Sequence, residues 1–211
     1  MQTIILFGIL ISTYLMVIAK RMTALIRNFR FQSFFLALLT LGRAFSEKHI
    51  DLYFVAGLIL ALKVYVIPYV LCWTARKIKV DEHLGLFINS QLSLVFALVM
   101  TYGSWIFSKE IVLGHDPSQV TIMTIAFSVV ILGLFLMIFR MKAFTQIVGL
   151  LVMENGIFLF ASSVSGGMPF FVEIAIFSDV LISVIIMGFF VYRINKLFTH
   201  IDVHKLSHLK G

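Results

Sequence analysis

Apolar residues in this chain gather into seven long blocks: Ile4–Ala19, Phe31–Phe45, Leu52–Trp73, Leu84–Phe107, Val120–Phe139, Ala143–Val164 and Phe170–Tyr192. Unbroken runs of this kind predict helices with no polar face, as contact with lipid requires. The short alternating segments of a membrane barrel are missing. About 20 residues at about 1.5 Å each cover the roughly 30 Å of hydrocarbon in a bilayer, and most blocks reach that length. The second falls short. Twelve residues separate Arg30 from Arg43, about 18 Å of helix, so this block crosses only if both arginines reach for the interfaces or the bilayer thins.

The basic residues between the blocks decide that case. With seven crossings, thirteen lysines and arginines fall on one side, and only Arg43, Lys48 and Lys109 on the other. If the second block does not cross, the split becomes nine against seven. Because cytoplasmic loops collect positive charge, the first split is favoured. The expected fold is all-α: a polytopic membrane protein of about seven transmembrane helices, N-terminus outside and C-terminus cytoplasmic. Residues 1–115 form a four-helix membrane region, 116–194 a three-helix region, and 195–211 a short basic cytoplasmic tail. The turn Ser165-Gly-Gly-Met-Pro169 makes the last two helices an antiparallel hairpin. The loop Ser108–Gln119, with Gly114 and Pro117, is expected to be exposed.

Composition sharpens this. The chain is 61% hydrophobic and 13% charged, against about 25% charged in soluble domains. The net charge of +7 sits at helix ends, where it sets topology and meets anionic lipid, so nucleic acid is not an expected partner. A single cysteine, Cys72, excludes an internal disulfide and a cysteine-ligated cluster. The first block follows Met-Gln-Thr without a basic leader, so it is expected to stay as a helix rather than be cleaved.

A charge inside the bilayer costs several kcal/mol, and each one needs a reason. Besides Arg43, four charged residues lie within the blocks: Lys63, Glu154, Glu173 and Asp179. Glu154 comes eleven residues after Ala143 and Asp179 fourteen before Arg193, about 17 and 21 Å from the cytoplasmic edge. Lys63 is twelve residues from Asp51 and thirteen from Arg76, again near the midplane. Three such groups at a common depth form a lateral row. Apolar surroundings disfavour the charged form of acids and bases alike, so each can change protonation state near neutral pH, as a proton relay requires. Pro68 cannot donate to the carbonyl of Val64, so the helix is expected to weaken beside Lys63.

Plainer readings stand beside these. A buried lysine–carboxylate pair can simply fix helix packing. Glu173 lies near the outer interface, where an acid is well solvated. Arg43 reads as a snorkelling anchor. Asn89, Ser90, Gln91 and Ser93 read as interhelical hydrogen-bonding groups, and Gly149, Gly156 and Ala161 as small residues for helix contact. His200, His204 and His208 recur every four residues without a partner acid or cysteine, so a solvated tail is favoured over a metal site.

The stretch Gln146-Ile-Val-Gly-Leu-Leu-Val-Met-Glu-Asn-Gly-Ile-Phe-Leu-Phe160 resembles the signature of the hydrogenase-4 membrane component E family. Lys63-Val-Tyr-Val-Ile-Pro68, Gly167-Met-Pro169, Phe177-Ser-Asp179 and the closing Arg193-Ile-Asn to Lys210-Gly211 extend the resemblance over essentially the whole chain. The last three helices also resemble the K subunit of complex I and its counterpart in multisubunit Na+/H+ antiporters. In the complex I pattern the first membrane glutamate falls where this chain has Leu151, one helical turn before Glu154, and Asp179 takes the approximate place of the second. The resemblance implies a non-catalytic subunit of a membrane-bound, complex I-like hydrogenase in a prokaryotic cytoplasmic (inner) membrane. Its partners would be antiporter-like membrane subunits, the hydrogenase membrane anchor and peripheral hydrogenase subunits. No cofactor is expected in this chain; the nickel–iron centre and iron–sulfur clusters would sit in those partners. The expected function is proton translocation or energy coupling through Glu154, Lys63, Asp179 and Glu173. The competing readings are a purely structural scaffold, a subunit of a multisubunit antiporter, and an independent transporter. Against the last, the chain is small and has no evident inverted repeat.

Overall fold

The computed structural model describes residues 2–47, 50–77, 89–112, 116–140 and 143–164. Among them every regular element is helical: α1 (Gln2–Val17), α2 (Met22–Glu47), α3 (Ile50–Ile59), a π-helical stretch (Leu60–Val66), α4 (Ile67–Lys77), α5 (Ser90–Ile111), α6 (Pro117–Ile138) and α7 (Ala143–Val164). Four spans, Leu52–Trp73, Ser90–Ile111, Pro117–Ile138 and Thr145–Val164, are long and apolar enough to cross a membrane. The chain is an all-α membrane protein. The seventh block, with Glu173 and Asp179, and the tail lie outside the described residues, as does the Ser165–Pro169 turn.

Helix ends depart from the hydrophobic blocks in informative ways. α5 begins at Ser90 rather than Leu84 among the described residues, and α6 begins at Pro117. Proline suits a first helical position, and the Asp116 side chain accepts from the backbone N–H of Ser118 to cap that end. The largest departure is α2. The block Phe31–Phe45 is the C-terminal part of a 26-residue helix, about 39 Å long. This doubtful segment is the centre of the bundle, packing on α1, α3, the π-helical stretch, α4 and α7. Besides its charged residues, the helix carries Asn28, Gln32, Ser33 and Thr40, all buried. They face protein, so lipid does not have to solvate them.

Close backbone approach fixes the outer pair, α6 and α7, which share the most extensive interface. A Cβ at Gly133 would lie 2.6 Å from the Met153 nitrogen, one at Gly149 2.9 Å from the Gly133 carbonyl oxygen, and one at Gly156 2.8 Å from the Val130 nitrogen. Only glycine fits such crossings, and dispersion between the backbones replaces the hydrophobic drive that lipid cannot supply. Gly149 and Gly156 thus make the contact their size predicts; Gly133 supplies the matching groove. Hydroxyls elsewhere mostly fold back on the preceding turn, as in Ser12 to Gly8, Thr40 to Leu36, Ser104 to Met100 and Ser128 to Thr124.

Two arginines tie helix ends together. Arg140, buried just after α6, donates to the carbonyls of Ala19 at 3.0 Å and Val17 at 2.6 Å, closing the C-terminal end of α1. Burial brings its guanidinium down to about 10, so it stays charged at neutral pH, the sign that a helix C-terminus favours. At the opposite end Arg43 donates to the Ser162 carbonyl in the last turn of α7. Arg43 is therefore more than a snorkelling anchor: it places the C-terminal ends of α2 and α7 side by side.

Gly133→Ala should lower the thermal midpoint of the purified protein in detergent, a loss of about 1–3 kcal/mol for overpacking a tight contact. Gly103→Ala, where nothing described lies within 4 Å of the added Cβ, should leave it unchanged. Equal midpoints for both would contradict the close crossing.

Candidate functional site: a buried ion pair and its amide arm

Pro68 carries no N–H, and its ring crowds the carbonyl one turn back. The helix responds by widening just before it. From Leu60 to Val66 the turns are π-helical, and the Ile67 N–H donates to the Leu62 carbonyl, five residues away. Wide turns of this kind occur at functional positions. Here the stretch carries Lys63, 1% exposed, toward the interior. The weakening that Pro68 predicts is thus located on Lys63 itself.

The α6–α7 glycine crossing sets the height and rotation of the facing residues on α7. Glu154 is 5% exposed and Asn155 1%. The Lys63 ammonium lies 3.0 Å from Glu154 Oε1 and donates to Asn155 Oδ1 at 2.9 Å. Two of the sequence-derived residues, on separate helices, therefore meet. Asp179 and Glu173 lie outside the described residues.

Beyond Lys63 the polar contacts continue through two more helices. Asn155 Nδ2 donates to Gln32 Oε1 at 3.0 Å and to Ser33 Oγ at 3.3 Å, both on α2. Gln32 Nε2 donates to Thr13 Oγ1 on α1 at 2.8 Å, and Thr13 donates to the Ile9 carbonyl at 2.8 Å. Gln32, Ser33 and Thr13 are fully buried. Each group donates in the same sense, from lysine to amide to amide to hydroxyl to backbone. Such a chain satisfies groups that would otherwise be expensive inside an apolar bundle.

Its chemistry divides in two. Glu154 and Lys63 are the ionisable members, an acid and a base in direct contact. The amides of Asn155 and Gln32 do not titrate; they orient their neighbours and accept or donate in fixed directions. Sequence reasoning missed the arm. Gln32 sits in the doubtful second block, and Asn155 was conspicuous only within the Met-Glu-Asn-Gly motif. The signal available was their position: an uncharged amide deep in an apolar helix needs a partner. By contrast, Asn89, Ser90, Gln91 and Ser93 make no interhelical hydrogen bond among the described residues. Thr101 on the same helix does, accepting from Tyr14 at 2.6 Å. No cluster of three or more metal-binding side chains occurs among the described residues, and His200, His204 and His208 lie outside them.

No family model matches the chain, and no solved structure matches it. The chain is similar to Uncharacterized protein Rv0085 of Mycobacterium tuberculosis (strain ATCC 25618 / H37Rv), at 27% identity over 204 residues, or 96% of this chain and 93% of that protein. The likeness runs nearly end to end, over the whole helical framework and not one segment of it.

Lys63→Met should destabilise the folded protein by about 3–5 kcal/mol, because it strands a buried carboxylate. Adding Glu154→Gln should restore part of that loss. Denaturant titration of the two singles and the double measures the coupling, and strictly additive losses would contradict a direct pair.

Proposed function

We propose that this chain is a non-catalytic membrane subunit of a complex I-like, membrane-bound hydrogenase, and that it contributes to proton translocation or energy coupling. The observation carrying this reading is the Lys63–Glu154 pair, 3.0 Å apart and buried between helices. An acid and a base sharing one proton inside lipid form a carrier whose state changes with the field around it. Events in partner subunits would bias that proton. Glu154 is the central carrier, Lys63 its charge partner, and Asp179 and Glu173 further sites on the same route. The resemblance of the Met-Glu-Asn-Gly stretch to the hydrogenase-4 component E family supplies the setting: antiporter-like subunits, a hydrogenase anchor and cofactor-bearing peripheral subunits as neighbours, in a prokaryotic cytoplasmic membrane.

The proposed topology has seven crossings, with the N-terminus outside and the C-terminus in the cytoplasm. The length and central place of α2 support its crossing, and the thirteen-to-three distribution of basic residues supports the orientation. Reporter fusions should place the two termini on opposite sides; termini on one side would remove a crossing.

A second reading has its own support. The amide arm from Asn155 to Thr13 is what a scaffold would use to fix four helices, and a scaffold needs no proton movement. Glu154→Gln separates the two, because it keeps the shape of the side chain and removes the titrating group. Proton translocation coupled to hydrogenase turnover in membrane vesicles should fall at least several-fold while the complex still assembles. Coupling at the wild-type level in an assembled complex would leave the scaffold.

A further inference from the structure

One stripe of α2 faces away from the bundle. Arg27, Arg30, Phe31 and Phe34 follow at helical spacing and all are exposed, while Asn28, Gln32 and Ser33 between them are buried. The stripe changes character along the axis, from two guanidinium groups nearer Met22 to two phenyl rings farther in. Beside it the π-helical stretch and α4 pack on α2 and expose Tyr65 and Tyr69. The Arg30 guanidinium carbon lies 5.3 Å from the centre of the Tyr65 ring. That contact sets the depth of Arg30. Tyr65 is eight residues short of the end of the apolar span Leu52–Trp73, and Arg30 is eight residues past the start of α2 at Met22, about 12 Å by either count.

A guanidinium open to lipid at that depth is expensive. The face of one tyrosine offsets only a part of the cost, and no carboxylate among the described residues pairs with Arg27 or Arg30. We propose that this surface seats an anionic phospholipid of the leaflet on the Met22 side. Its phosphate is drawn below the ordinary headgroup level onto Arg30 and Arg27, and an acyl chain lies along Phe31 and Phe34. The arginine fork matches phosphate oxygens two at a time. Tyr69, one turn nearer the end of the span than Tyr65, adds a hydroxyl to the same surface. The order of the stripe, charged and then apolar, is the order of a phospholipid from headgroup to tail. An acidic side chain on a partner helix would make no use of that order. In the proposed topology this is the cytoplasmic leaflet, where anionic lipids meet basic surfaces between helices; the seat itself does not depend on the orientation.

Such a lipid removes a conflict that the sequence poses. Only twelve residues separate Arg30 from Arg43, too few for both to reach opposite interfaces of an unthinned bilayer. Arg43 is met by the Ser162 carbonyl and Arg30 by the phosphate, so the bilayer need not thin around α2. The seat also lies behind the ion pair. The stretch Leu60–Val66 exposes Tyr65 on this surface and, two residues earlier, buries Lys63. Asp81 and Glu82, which follow α4 in the chain, lie outside the described residues.

The test titrates phosphatidylglycerol into the full-length chain in a neutral detergent and reads the bound lipid by native mass spectrometry. Wild type should bind phosphatidylglycerol more tightly than phosphatidylcholine. The first phosphatidylglycerol should bind about fivefold more weakly to Arg30→Gln and about twenty- to thirtyfold more weakly to Arg27→Gln/Arg30→Gln. Lys109 is the control, another exposed cation on an aromatic ring, 3.8 Å from the centre of Trp105 but on α5; Lys109→Gln should bind as wild type does. An excess of inorganic phosphate should not displace the lipid. Equal affinity of wild type for the two lipids would overturn the proposal, and that comparison decides even if the double variant does not fold. Unchanged binding in the double variant, or a loss as large in Lys109→Gln as in Arg30→Gln, would overturn it too. Displacement by phosphate would make this a site for a free anion. A double variant that keeps the lipid and instead loses a co-purifying membrane partner would assign the face to an acidic helix. Either result removes the lipid seat.

Discussion

A lysine and a glutamate held 3.0 Å apart between helices, each nearly sealed from solvent, set the constraint that organises this bundle. Separating either from water costs several kcal/mol, and the mutual attraction offsets that cost only when geometry is good and the remaining polar atoms are satisfied. Much of the fold serves that requirement. The glycine crossing of α6 and α7 fixes the height of Glu154, the wide turns before Pro68 bring Lys63 inward, and α2 supplies amide and hydroxyl groups to Asn155 between them.

The same economy governs the other polar groups. Most hydroxyls return to their own helix, so they ask nothing of neighbours. Arg140 and Arg43 sit on carbonyls at helix C-terminal ends on opposite sides of the bundle, where a positive charge is favoured. Among the described residues, polar groups reach continuously across several helices along the line from Glu154 to Thr13. A bundle that needed only cohesion has cheaper means, and the α6–α7 crossing is one. The line joins α1, α2 and α7 through buried amides and a hydroxyl and ends on the Lys63 ammonium.

Much of this was legible in the chain, and the limits have physical causes. Long apolar runs announce membrane helices because lipid imposes the pattern, and Lys63 and Glu154 stand out because charge is rare there. Depth could be counted from helix ends at a fixed rise, so their common level was predictable. The rotation of one helix about its axis was not, since it depends on where Gly133 and Gly149 let backbones touch. Gln32 was hidden in the block that the twelve-residue spacing of Arg30 and Arg43 made doubtful, so the most central helix looked like the weakest. The Arg43 contact with the Ser162 carbonyl was not legible either, because a helix end as well as an interface can satisfy an arginine. Asn89, Ser90, Gln91 and Ser93 look like a cluster only along the sequence, and they make no hydrogen bond across helices among the described residues.

The proposed carrier role requires Glu154 to change its protonation while the proposed hydrogenase complex turns over. Infrared difference spectra of the active complex in membranes, taken between resting and turning-over states, register that change as a carboxyl stretching band. The account predicts such a band and its disappearance in Glu154→Gln; difference spectra identical in the carboxyl region for wild type and variant would contradict it.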